Sequence, residues 1–175
     1  MKKVVKLIMM LFLGAICQFT NAATSKDVRV IKPFELKKYL GKWYEIARFD
    51  IFFERNLVNV TATYSLNADG SVRVDNQGYN TEKKKNSQAI GKAKFVGSND
   101  EARLKVSFFG PFYAPYNVVK LDSEYKYALV VGNNKKYLWI LSRTKTIPGE
   151  IKKAYLERAK ELGFDVTKLI WTKQN

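Results

Sequence analysis

From Trp43 to Arg143 apolar and polar residues alternate with a period of two, in short runs separated by turn signals. Successive side chains of a strand point to opposite faces, so a chain patterned this way folds into an all-β barrel or sandwich. Ala93, Phe95, Leu104, Val106 and Phe108 alternate with Lys94, Lys105 and Ser107, giving one apolar and one charged face. Asn67-Ala68-Asp69-Gly70 reads as a hairpin turn because Gly supplies the positive φ of a tight reversal. Asn99-Asp100 and Gly132-Asn133-Asn134 mark two further turns. The segment yields eight strands, and closing them in antiparallel, up-and-down order removes the exposed edges that an open sheet carries.

After the strands, Pro148, Glu150 and Gly163 bracket a helix, with Ile151, Ala154, Tyr155, Ala159 and Leu162 at helical spacing. Such a stripe on a globular domain packs against the body, which puts the helix on the outside of the barrel. Leu169-Ile170-Trp171 adds a short last strand.

The chain opens with Lys2, Lys3 and Lys6 ahead of an apolar stretch from Leu7 to Cys17, too short to span a bilayer comfortably. This is a secretory signal, residues 1–22, with small residues at Thr20 and Ala22 placing cleavage before Ala23 and leaving a single domain over 23–175. The expected address is the cell envelope, periplasm or outer membrane. Cys17 is the only cysteine, so no disulfide framework is available. A soluble product starting at Ala23 is favoured over a lipid anchor on Cys17, because Ile16 is bulky for a residue preceding an acylated cysteine. The net charge is +15, three of the cations lying in the leader. Such a charge favours anionic partners, although many of the lysines alternate with apolar residues and suit a solvated barrel exterior.

Two motifs add specificity: GKWYEIARFD from Gly41 and YLWILSRT from Tyr137. Between and around them come FERN, VTATYSL, VSFFGPFY, YNVVKLD, YALVVG and GFDVTKLIW. From about Phe34 to Trp171 this order resembles the lipocalins, in particular the bacterial branch related to apolipoprotein D. The resemblance implies a calyx whose floor is made by Gly41, Trp43 and Arg143, with the guanidinium stacked on the indole, the best cation–π face.

With Arg143 directed at the floor, counting by twos gives the interior. Small residues (Ala47, Val60, Ala62, Val74, Ala93, Val106, Val118) stand beside larger ones (Phe49, Phe95, Phe108, Tyr116, Trp139, Leu141). These are the candidate ligand-binding residues, and small side chains on neighbouring strands leave volume within an apolar wall. The same count turns Glu45 inward, where it meets a polar ligand group or a tyrosine unless a bulge turns it out. Glu54 of FERN and the run SFFGPFYAPY from Ser107 to Tyr116 belong at the open end, the latter read as a loop because Gly110, Pro111 and Pro115 interrupt pairing.

The resemblance implies a lipophilic ligand, a fatty acid or lysophospholipid, which is bound, stored or carried without catalysis; it also allows a homodimer and peripheral membrane association. An enzyme is the weaker reading: the chain has no His, no Gly-x-Ser-x-Gly and no Gly-rich phosphate loop. Polyanion or surface-glycan binding by Lys83-Lys84-Lys85 and Lys135-Lys136 is the other alternative, and a secreted address argues against nucleic acid. No metal or cofactor is expected.

Overall fold

The computed structural model describes residues 28–175; the leader, Cys17 and the cleavage site lie outside the described residues. A short helix α1 (Leu36–Tyr39) precedes strands β1 (Gly41–Arg48), β2 (Leu57–Leu66), β3 (Val72–Asn80), β4 (Lys85–Phe95), β5 (Arg103–Phe109), β6 (Phe112–Leu121), β7 (Tyr127–Val131) and β8 (Leu138–Ser142). Helix α2 (Gly149–Glu161) and a two-residue strand β9 (Ile170–Trp171) follow. Each strand pairs antiparallel with the next and β1 pairs with both β8 and β2, so eight strands form a closed up-and-down barrel. Among the described residues no helix is long and apolar enough to cross a membrane.

The β1–β2 seam closes in two ways. Its lower half is a direct ladder from Gly41↔Tyr64 to Tyr44↔Thr61. Its upper half is filled by the C-terminal segment: β9 pairs with Ala47 and Arg48, Asn59 donates its N–H to the carbonyl of Lys173, and Gln174 Nε2 bridges the carbonyls of Glu45 and Val60 at 2.8 Å each.

Two apolar clusters sit on the two faces of this wall. The inner one gathers Trp43, Tyr64, Val74, Leu104, Val118 and Leu141. The outer one joins Val119, Leu129, Leu138 and Ile140 to Tyr155 and Ala159 of α2 and to Phe164. Strands β7 and β8 therefore bury both faces, and their sequences YALVV and LWIL are correspondingly apolar throughout rather than alternating. Helix α2 ends in a Schellman motif, with Gly163 at φ +77°, its N–H on the carbonyl of Lys160 and the N–H of Phe164 on that of Ala159. The Tyr155 hydroxyl ties the helix to the barrel by donating to the Tyr127 carbonyl at 2.8 Å.

The aromatic run at the open end is a hairpin rather than a loop: only Gly110 and Pro111 turn, and Pro115 lies within β6 opposite Lys105. Proline is tolerated there because β7 reaches only to Val131, opposite Asn117, so β6 above Asn117 has a single strand neighbour.

Candidate functional site

The closed end is built around Trp43, fully buried, whose Nε1–H donates to the Tyr39 carbonyl at 2.8 Å. Arg143 lies over the indole at 3.8 Å. Its guanidinium donates to the carbonyls of Lys38, Leu40 and Lys42 at 2.8–2.9 Å and to those of Tyr39 and Tyr125 at 3.2 Å. One side chain thereby satisfies the end of α1 and the start of β1. Gly41 is required at this junction: its φ is +93°, and an added Cβ would lie 3.4 Å from Arg143 Nη1.

Above the floor, three tyrosines bridge the interior. Tyr39 and Tyr64 each meet the hydroxyl of Tyr116, at 2.7 and 2.8 Å. Burial raises all three hydroxyls above the ordinary tyrosine range, Tyr64 to about 12, so the bridge stays neutral. Neither Tyr39 nor Tyr64 was among the sequence candidates; stepping by two from Ala62 leads directly to Tyr64.

The structure divides the candidate lining residues by height. Ala62, Val74, Ala93, Val118 and Leu141 are buried in the inner cluster, and Phe95 packs at the closed end against Phe34, ring centroids 6.2 Å apart. Val106, Phe108, Tyr116 and Trp139 face the same interior but are only partly buried. Val60 is buried on the inner side, and Gly78 opposite it leaves 3.2 Å between Val60 Cγ2 and the place a Cβ would take. Gly91 has a sharper reason, since a Cβ there would lie 2.9 Å from the Phe108 ring.

Ala47 and Phe49, expected inside the barrel, lie on its outer face. The β1–β8 register shifts between Glu45 and Ala47, a bulge that reverses the parity of everything after it. Ala47 and Phe49 consequently join the outer cluster under α2, Phe49 packing 5.9 Å from Phe164. Arg48 takes the inward position instead.

That exchange builds a buried charge cluster that alternation alone does not show. Glu45, Arg48 and Glu54 are all buried, with Arg48 Nε 3.3 Å from Glu45 Oε1 and 3.4 Å from Glu54 Oε2. Arg48 Nη2 donates to the Glu54 carbonyl at 2.6 Å, Trp139 Nε1 to Glu54 Oε2 at 3.3 Å, and Thr172 Oγ1 to Glu45 Oε1 at 2.5 Å. Glu45 thus meets the protein's own Arg48 and Thr172. Burial, then the neighbouring Glu54 carboxylate, pushes its pKa up to about 8, and burial raises Glu54 as well. Two carboxylates on one guanidinium therefore retain a proton at neutral pH. On the next strands the side-chain oxygen of Asn76 is buried with no hydrogen-bond partner among the described residues. Among these residues no group of acidic, His or Cys side chains could hold a metal ion.

This architecture has known counterparts. A lipocalin-like domain model matches residues 34–174. The outer membrane lipoprotein Blc of Citrobacter freundii is 53% identical over 163 residues, covering 93% of this chain and 91% of that protein. Temperature-induced lipocalin-1 of Arabidopsis thaliana is 38% identical, covering 86% and 84%, and mouse apolipoprotein D is 30% identical, covering 95% of each. Among solved structures, insecticyanin of Manduca sexta superposes with a TM-score of 0.66 at 21% identity, covering 84% of each chain. Lobster apocrustacyanin A1 does so with a TM-score of 0.66 at 20% identity, covering 79% of each. With the closed eight-stranded barrel, the outer helix and the arginine-stacked tryptophan at its floor, the chain belongs to the lipocalin family.

Proposed function

We propose that the protein binds one membrane-type lipid, a fatty acid or lysophospholipid, in the upper half of the barrel and stores or carries it in the bacterial cell envelope without catalysing its conversion. The observation that carries this reading is the change in burial up the inner wall. On β4 the inward positions run from buried Ala93 and Gly91 to exposed Ala89, and on β5 from buried Leu104 to half-buried Val106 and Phe108. Inward residues that solvent reaches describe a site open at one end, with apolar walls and a few polar groups, as small-molecule sites generally have. Trp139, the Glu45–Arg48–Glu54 cluster and the free oxygen of Asn76 are those polar groups. An envelope location is supported by the leader sequence and by relatives named as outer membrane lipoproteins. The mature form we favour starts near Ala23, and an intact mass showing an acylated Cys17 terminus would replace it.

Binding is tested with Trp139 as reporter. Addition of lysophospholipid should change its fluorescence, and Val106→Asp or Phe108→Asp, by placing a charge in an apolar pocket, should weaken uptake at least about tenfold. Normal uptake by folded variants would remove the ligand from the barrel interior.

A further inference from the structure

In an up-and-down barrel every second turn lies at the same end. The β1–β2 loop, with a 3-10 turn at Phe52–Glu54, and the β3–β4, β5–β6 and β7–β8 turns all surround the open mouth. The four most exposed large apolar side chains among the described residues sit on this rim: Phe52 and Phe109 at 82%, Phe112 at 79% and Phe53 at 63%. They come from two turns separate in sequence, and none packs into either apolar cluster.

Charge divides between the ends in the same sense. The open-end turns expose Lys83, Lys84, Lys85 and Lys136, while of their exposed acids Asp50 is paired with Arg55 at 2.8 Å and Glu82 accepts a bond from Asn56 at 2.7 Å. Arg55 also lies over the Phe52 ring at 5.8 Å, so cation and aromatic are adjacent on the rim. The closed-end turns instead carry Asp69, Asp100, Glu101, Asp122 and Glu124, balanced by cations: Asp69 pairs with Lys92, Asp100 and Glu101 with Lys32, and Glu124 with Lys126, so the uncompensated lysines of the described strand turns are those of the rim.

We propose that the protein docks mouth-first on a bilayer with anionic headgroups, inserting Phe52, Phe53, Phe109 and Phe112 at the interface while the rim lysines contact the headgroups. Aromatic rings favour the interfacial region, and lysines beside them add an attraction that salt weakens. A second copy set mouth to mouth is disfavoured because it brings the same lysines against each other. Docking in this orientation opens the barrel toward the source of its lipid, and the proposal rests on the lipid-binding reading only for that purpose.

Flotation with vesicles tests it, using residues 23–175 so that neither leader nor Cys17 contributes. The chain should float with phosphatidylcholine vesicles containing phosphatidylglycerol, less with phosphatidylcholine alone, and less again in high salt. Combined Phe109→Ser and Phe112→Ser should lower binding about tenfold or more, as expected for two exposed aromatics that lose their burial. Lys83→Gln, Lys84→Gln and Lys85→Gln together should remove the preference for phosphatidylglycerol. Leu66→Ser, at the closed end, should bind as the parent does, and unchanged lysophospholipid uptake by the Phe variant would separate docking from the interior site. Equal flotation of the Phe and Leu66 variants overturns the proposal, as does a phenylalanine-dependent dimer that ignores vesicles. Vesicle binding without lipid uptake would instead overturn the interior site and leave docking standing.

Discussion

Glu45 is a buried acid whose folded pKa, about 8, lies above its ordinary 4.5, because burial and Glu54 both oppose its ionisation. The folded protein holds a proton that the unfolded chain has released between these values, so stability from this group is complete below about pH 4.5 and is lost as pH rises through 8. Glu45→Gln keeps the Thr172 contact sterically and cannot ionise. Urea denaturation should therefore show a smaller loss of stability from pH 6 to pH 9 in the variant than in the parent, and parallel losses would remove Glu45 as the source. Trp43→Ala should cost about 3–5 kcal/mol in the same measurement, since it empties the floor and leaves Arg143 without its ring. Trp43 and Arg143 were legible because each lies in a recognisable motif. Arg48 was not, because one bulge between Glu45 and Ala47 exchanges inside for outside and nothing in strict alternation announces it. The partners of Glu54 were not legible for a related reason: only the closed barrel brings it to Trp139, far away in sequence.

At the level of elements, helix α2 and its stop were readable from Pro148, the apolar stripe and Gly163, because capping chemistry is local. Gly163→Ala forces a Cβ into a left-handed conformation at φ +77° and should cost about 1–2 kcal/mol without changing the fold, measurable in the same urea titration. The β5–β6 hairpin was harder. Its prolines look like strand breakers until the short reach of β7 shows that β6 has a free side at Pro115. Strand β9 was expected from Leu169-Ile170-Trp171, but its place in the β1–β2 seam depends on long-range pairing that no local pattern records. Removing residues 170–175 deletes Thr172 and Gln174, uncovers the carbonyls of Glu45 and Val60, and should speed hydrogen exchange in the upper half of β1 while the lower ladder from Gly41 to Tyr44 stays protected. Uniform exchange along β1 would show that the tail does not close the wall.

Taken as a whole molecule, the barrel was legible because alternation, turns and the two end motifs agree with one closed topology. The sorting of its contents by height was not, since a strand pattern tells which face a residue takes and not how far solvent reaches along it. On the proposed lipid-binding reading, the tyrosine bridge is where that sorting would turn into selectivity. Tyr116 stands four residues below Phe112 on β6, so an occupant resting on the bridge has about 13 Å of strand rise before it meets the rim. If the barrel takes an acyl chain as proposed, the hydroxyl contacts would act as a depth gauge: chains that fit above them would be enclosed, and longer ones would bend or leave their ends at the mouth. Tyr116→Phe keeps the ring and should leave the preferred chain length unchanged, whereas Tyr116→Ala lowers the stop and should shift preference toward longer acyl chains in a competition series of graded length.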